Sequence, residues 1–191
     1  MRKITFDLET KNSFQDVGSN DPADLDLSVI CAHDSEDDQY KHYFENELGN
    51  LWPILEQADI LITWNGEHFD LPILNKYYPG DLGKIKHVDM MKEVQRSLGR
   101  RLKLDTVAAA TLGENKSGSG MDAIVWWNNG ETDKVVKYCI DDVRITKELY
   151  KYALANNSLK YRDNGTIKEV KLDTSHWEVP VHSMMTFTLP F

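Results

Sequence analysis

Cysteine is nearly absent from this chain. Its 191 residues include only two, Cys31 and Cys139. They have no zinc-ligand spacing, and each sits in an apolar stretch, the usual setting of a reduced, buried thiol in an intracellular protein. No apolar run approaches the roughly 20 residues that a membrane-spanning helix needs. The opening Met1-Arg2-Lys3-Ile4-Thr5-Phe6-Asp7 is charged within its first few residues and does not read as a signal peptide. These absences lead to the expectation of a cytoplasmic protein without a membrane partner. Internal repeats and low-complexity tracts are also missing.

Basic residues are the other shortage. Lys and Arg number 22 against 31 Asp and Glu, a net charge of -9. Taken whole, that balance argues against a nucleic-acid partner, because phosphate binding rests on Lys and Arg. The distribution argues differently. Residues 1–80 are strongly acidic, whereas Lys84, Lys86, Lys92, Arg96, Arg100, Arg101 and Lys103 face only Asp89 and Glu93 in their stretch. Such a patch can dock phosphate on an acidic protein; the alternative is a solvated helix face.

Hydrophobic residues make up 41% of the chain, enough for a core. Strands are expected at Ile4–Leu8, Leu27–Ala32, Tyr40–Phe44 and Ile60–Trp64, with one more at His87–Met90. Helical spacing marks Asn46–Gln57, the segment carrying Phe69 to Leu74, Leu104–Leu112 and, most clearly, Glu131–Asn156. Residues 11–26 and Glu114–Gly120 read as loops. The order predicts an α/β fold, a mixed sheet that opens as an antiparallel meander, continues with parallel strands and is flanked by helices. Beyond residue 156 the character changes. Leu159–Arg162 and Thr166–Leu172 flank Asp163-Asn164-Gly165, a hairpin signal. Val179–Phe191 is apolar and lacks Lys, Arg, Asp and Glu. Residues 1–156 are therefore expected as the main domain and 157–191 as a small β extension packed on it, whose tail can also dock a protein partner.

Three segments carry acids in suggestive places. Asp7-Leu8-Glu9 ends the first strand, and residues two apart on a strand share a face. Two carboxylates side by side repel unless a divalent cation sits between them. Asn65-Gly66-Glu67-His68-Phe69-Asp70 follows a buried strand and opens a helix, the edge of an α/β sheet where ligands gather. Tyr138 and Asp142 are one turn apart on the long helix and meet the same surface, while Asp141 points elsewhere. Each segment alone has an ordinary reading: exposed polar residues, a helix cap, a half-buried tyrosine.

Taken together, Asp7-x-Glu9, Asn65-x-x-x-Phe69-Asp70 and Tyr138-x-x-x-Asp142 resemble the three exonuclease motifs of the DEDD superfamily in its tyrosine-containing DEDDy branch. That group has a ribonuclease H-like fold and includes the polymerase proofreading exonucleases. The stand-alone predicted exonucleases are the nearest likeness. The resemblance spans roughly residues 1–155, and His87-Val88-Asp89 and Leu104-Asp105-Thr106-Val107-Ala108 also resemble family features. It implies a 3′-5′ exonuclease that uses two divalent cations, Mg²⁺ or Mn²⁺, and releases nucleoside 5′-monophosphates from a single-stranded DNA or RNA 3′ end. By the same resemblance Asp7, Glu9, Asp70 and Asp142 hold the metals and Tyr138 orients the attacking water. Leu8, Thr10, Asn65 and Phe69 meet the terminal nucleotide. Lys116, in a loop with two glycines, can reach the phosphate backbone; an ordinary flexible surface loop is the alternative. The chemistry agrees: hard cations prefer oxygen ligands, and two of them stabilise both the attacking and the leaving oxygen of a phosphodiester. A non-catalytic binding or scaffold module of the same fold and an endonuclease variant are the competing readings.

Overall fold

A computed structural model describes residues 1–114 and 118–179. Lys116 and the tail beyond residue 179 lie outside the described residues. Strand β1 (Lys3–Thr10) is the centre of a five-stranded sheet of order β3-β2-β1-β4-β5. β2 (Leu27–Asp34) and β3 (Gln39–Phe44) join it as an antiparallel meander, and β4 (Ile60–Thr63) and β5 (His87–Asp89) add in parallel. This is the expected mixed α/β sheet.

The alternation of β1 divides the interior. Ile4, Phe6 and Leu8 face a cluster with Leu51 and Leu55 of α2 (Leu48–Glu56) and Leu71, Ile73 and Leu74 of α3 (Asp70–Asn75). The side chains of Thr5, Asp7 and Glu9 take the opposite face, which α7 (Thr132–Asn156) crosses. There Val29 and Cys31 of β2 meet Val135, Tyr138, Cys139 and Val143. The 25 residues of α7 contain neither Gly nor Pro, and the helix ends where Asn157 turns left-handed at φ 52°. Burying both sheet faces explains why β2 is covered along its whole length.

A third cluster joins β4 and β5 to α4 (Met90–Leu98), α5 (Leu104–Thr111) and the far half of α7. The hairpin β6 (Ser158–Asp163) and β7 (Thr166–Lys171) docks on it through Leu159, Tyr161 and Val170. Trp177 is fully buried beyond the hairpin and stacks on Tyr150 at 5.3 Å.

Two helices appear where sequence reading gives loops. α1 (Phe14–Val17) lies within residues 11–26, and α6 (Gly120–Asn128) begins at the end of the expected 114–120 loop. Both start on a reciprocal capping box, Ser13 with Asp16 and Ser119 with Asp122. Trp126 and Trp127 sit on α6, and both are half-buried. Trp126 packs edge-on against Tyr138, and Trp127 lies near Phe44.

Candidate metal and nucleotide site

The sheet and α7 bring acids from distant positions together. Asp7 and Glu9 come from the last residues of β1, where the pairing with β2 shifts register between Glu9 and Thr10. Asp142 comes from the facing side of α7 and is 4% exposed. One carboxylate oxygen of each of Asp7, Glu9 and Asp142 lies within 4.8 Å of the others.

Asp70 approaches from the β4–α3 turn. Asn65 is left-handed there, at φ 76°. Gly66 follows, and a Cβ at that position would stand 2.3 Å from Thr63 Oγ1. The Gly66 N–H instead donates to that oxygen at 3.0 Å. This tight turn makes Asp70 the first residue of α3, with Phe69 before it, so Asp70 is not the helix cap. Its carboxyl is 3% exposed. Burial above all, then the charge of Asp89, pushes it up to about 8, against backbone N–H bonds from Asp70 itself and from Leu8. Its Oδ1 is buried with no hydrogen-bonding partner.

Asp89 is the residue that sequence reasoning left without a role. It is 2% exposed and accepts four backbone N–H bonds. Oδ1 takes those of Asn65, Met91 and Lys92, and Oδ2 takes that of Glu67, at 2.9–3.2 Å. It therefore caps α4 and pins the turn that carries Asn65 and Asp70. The sequence signal was an aspartate immediately before a helical pattern.

Asp7, Glu9, Asp70 and Asp142 line one cleft of about 410 Å³, together with Leu8, Thr10, Asn65 and Phe69. Phe14, Trp64, Met121 and Ile124 add apolar walls that sequence reading did not assign to the site. Tyr138 is 4% exposed and lines an adjoining cleft of about 600 Å³. Trp64, Asn65, Ser119 and Gly120 border both spaces. A donor set made of carboxylate oxygens suits a hard divalent cation, and the buried, unpartnered Asp70 Oδ1 fits the same ligand. The acidic cluster can thus bind a metal.

A more enclosed cavity of about 370 Å³, lined by His33, Lys147 and Tyr150, contains none of the four acids. The acid cleft, where the chemistry-bearing groups converge, is the better candidate.

The RNase H superfamily model matches residues 4–154. The chain belongs to the RNase H superfamily. A DNA polymerase of Thermococcus aggregans is 30% identical over 126 residues, covering 50% of this chain and 7% of that protein. One from Thermococcus litoralis is 29% identical over 126 residues with the same coverage. The chain thus spans only 7% of the length of these relatives. The family B DNA polymerase of Pyrobaculum calidifontis aligns structurally with a TM-score of 0.61 at 20% identity, over 81% of this chain and 24% of that one. That likeness extends the agreement in fold. Among the described residues no helix is long and apolar enough to cross a membrane.

Proposed function

We propose that this RNase H-superfamily chain is a DEDDy-type 3′-5′ exonuclease that hydrolyses the terminal phosphodiester bond of a single-stranded nucleic acid and releases nucleoside 5′-monophosphates. The observation that carries the proposal is the convergence of Asp7, Glu9 and Asp142 oxygens within 4.8 Å, in a cleft that also holds the buried carboxyl of Asp70. The relatives named as DNA polymerases favour a nucleic-acid substrate. Because they match over so little of their length, polymerisation itself is not carried over.

In this reading Asp7, Glu9 and Asp142 would hold one Mg²⁺ or Mn²⁺, and Asp7 with Asp70 a second. Bound cations supply charge neutralisation at the scissile phosphate and lower the pKa of water. Tyr138, one helical turn before Asp142, orients the attacking water by hydrogen bonding through its hydroxyl. Asn65 and Phe69, on the turn below α3, position the terminal nucleotide, and the walls of Phe14 and Ile124 exclude water from its base. The catalytic unit is residues 1–156, with the hairpin segment as an extension.

The test is incubation of the chain with 5′-labelled single-stranded DNA and RNA in Mg²⁺, Mn²⁺ or EDTA. The expected product is a shortening ladder with either metal and none in EDTA, lost in Asp142→Asn. Discrete internal cuts would make the chain an endonuclease, and an intact polymer in every metal would leave a binding module.

A further inference from the structure

The basic stretch ending at Lys103 resolves into residues with very different duties. Lys86 Nζ donates to the backbone oxygens of His176 and Val179 at 2.8 and 2.6 Å. Lys92 pairs with Glu67, and Arg96 pairs with Glu93 at 2.7 Å. Arg100 and Arg101 then diverge. The Arg100 guanidinium lies 5.6 Å from the centre of the Tyr161 ring and 3.4 Å from Asp163, which fixes the loop after α4 to the turn end of the hairpin. Arg101 reaches the other way and donates to the Asn65 side chain, a neutral partner at the rim of the acid cleft. Arg101 and Lys103 are exposed and line the 600 Å³ cleft that shares its border with the acid cleft. Among the described residues neither has a carboxylate within ion-pair distance.

The hairpin supplies a second set of cations. Leu159 and Tyr161 of β6 are buried, so Lys160 and Arg162 project from the exposed face. Their cross-strand partners are Glu169 and Ile167, and among the described residues neither cation is in an ion pair. The matched superfamily region ends at residue 154, so this basic face lies outside it. A net charge of -9 makes the grouping more pointed: exposed positive charge outside any ion pair among the described residues gathers beside the cleft and on the element tied to it.

We infer that Arg101, Lys103 and the Lys160–Arg162 face of the hairpin form a track for the phosphodiester backbone of a single strand, 5′ to the nucleotide held in the acid cleft. The inference rests on the exonuclease reading and adds the path of the substrate. Cations facing phosphates release counterions on binding, which makes affinity depend on salt. A strand long enough to reach the hairpin is held at phosphates that a trinucleotide lacks.

The test is fluorescence anisotropy with fluorescein-labelled 20-nucleotide and 3-nucleotide single strands in EDTA, across a salt series. Lys103→Ala combined with Lys160→Ala and Arg162→Ala is expected to raise the Kd for the 20-mer about tenfold at low salt. The slope of log Kd against log salt should shrink by about 0.7 for each phosphate no longer neutralised, about 2 in total. The trinucleotide should lose much less, Lys103→Arg should restore part of the slope, and Lys84→Ala should leave it as in the unmodified chain. The inference is overturned by an unchanged slope, by an equal change in Lys84→Ala, or by a polyglutamate of matching charge that competes as well as the strand. Binding in EDTA is independent of cleavage. A chain that binds without hydrolysing refutes the exonuclease reading alone, and a chain that hydrolyses with an unchanged slope refutes the track alone.

Discussion

Asp89→Ala is the sharpest test of how the site is held. The side chain is buried and takes four backbone N–H groups from two elements. The bonds to Met91 and Lys92 are the N-cap of α4, and losing such a cap costs about 1 kcal/mol. The bonds to Asn65 and Glu67 are charge-assisted, and at the low end of their range each contributes about 1.5 kcal/mol. The sum is about 4 kcal/mol, a large share of the 5–15 kcal/mol that stabilises an ordinary domain. Asp89→Asn keeps one acceptor oxygen. With that oxygen toward Asn65, Met91 and Lys92, only the Glu67 N–H loses its acceptor, for about 1.5–2 kcal/mol.

Urea unfolding followed by tryptophan fluorescence, in EDTA at pH 7.5, measures both variants. With an m-value of about 2 kcal/mol/M, the alanine variant should unfold about 2 M earlier and the asparagine variant a little under 1 M earlier. An alanine shift below about 0.5 M would refute the four-bond account. So would equal shifts for the two variants, since they differ in how many N–H groups keep an acceptor.

Three further outcomes follow from the same geometry. Gly66→Ala would put a methyl 2.3 Å from Thr63 Oγ1 and 2.6 Å from its Cβ; overpacking of this kind costs about 1–3 kcal/mol, and a loss under about 0.5 kcal/mol in urea unfolding would show that the turn yields freely. Burial, opposed by Asp89, lowers the pKa of His87 below 6.5, so around and below pH 6.5 the unfolded chain binds more protons than the native one. Native stability should then fall as pH drops through 6.5, and His87→Gln should flatten that fall; parallel stability curves for the two proteins would refute it. A divalent cation at 100 times its Kd stabilises the native state by about 2.7 kcal/mol, a rise in Tm of roughly 5–10 °C for a domain of this size. Asp7→Ala or Asp142→Ala should abolish the rise, and an unchanged response in both would remove the metal from those acids.

The sheet was legible because its pattern was local. Alternation in β1, the continuous apolar run of β4 and the long helical period of α7 each carry their own signal, and together they order the elements. The grouping of acids was legible only as a succession of motifs, since Asp7 and Asp142 meet through the crossing of α7 over β1 and no spacing in sequence encodes that distance. The supporting parts were harder to read. α1 and α6 are short and weakly periodic, so their capping boxes, Ser13 with Asp16 and Ser119 with Asp122, were the signals that mattered. Arg100 and Arg101 look alike in sequence, and only the position of the hairpin sends one to Asp163 and leaves the other at Asn65.

Asp70 and Asp89 show why burial alone does not identify a ligand. Both are nearly inaccessible, at 3% and 2%. Asp89 is saturated: four N–H groups compensate its desolvation, and moving it to serve a cation would strip the cap of α4 and release the Asn65 turn. Asp70 retains a buried oxygen without a partner, a cost of about 1–3 kcal/mol unless a ligand recovers it. It also feels the charge of the neighbouring Asp89. The saturated aspartate therefore fixes the geometry, and in the proposed metal site the unsaturated one would supply a ligand atom.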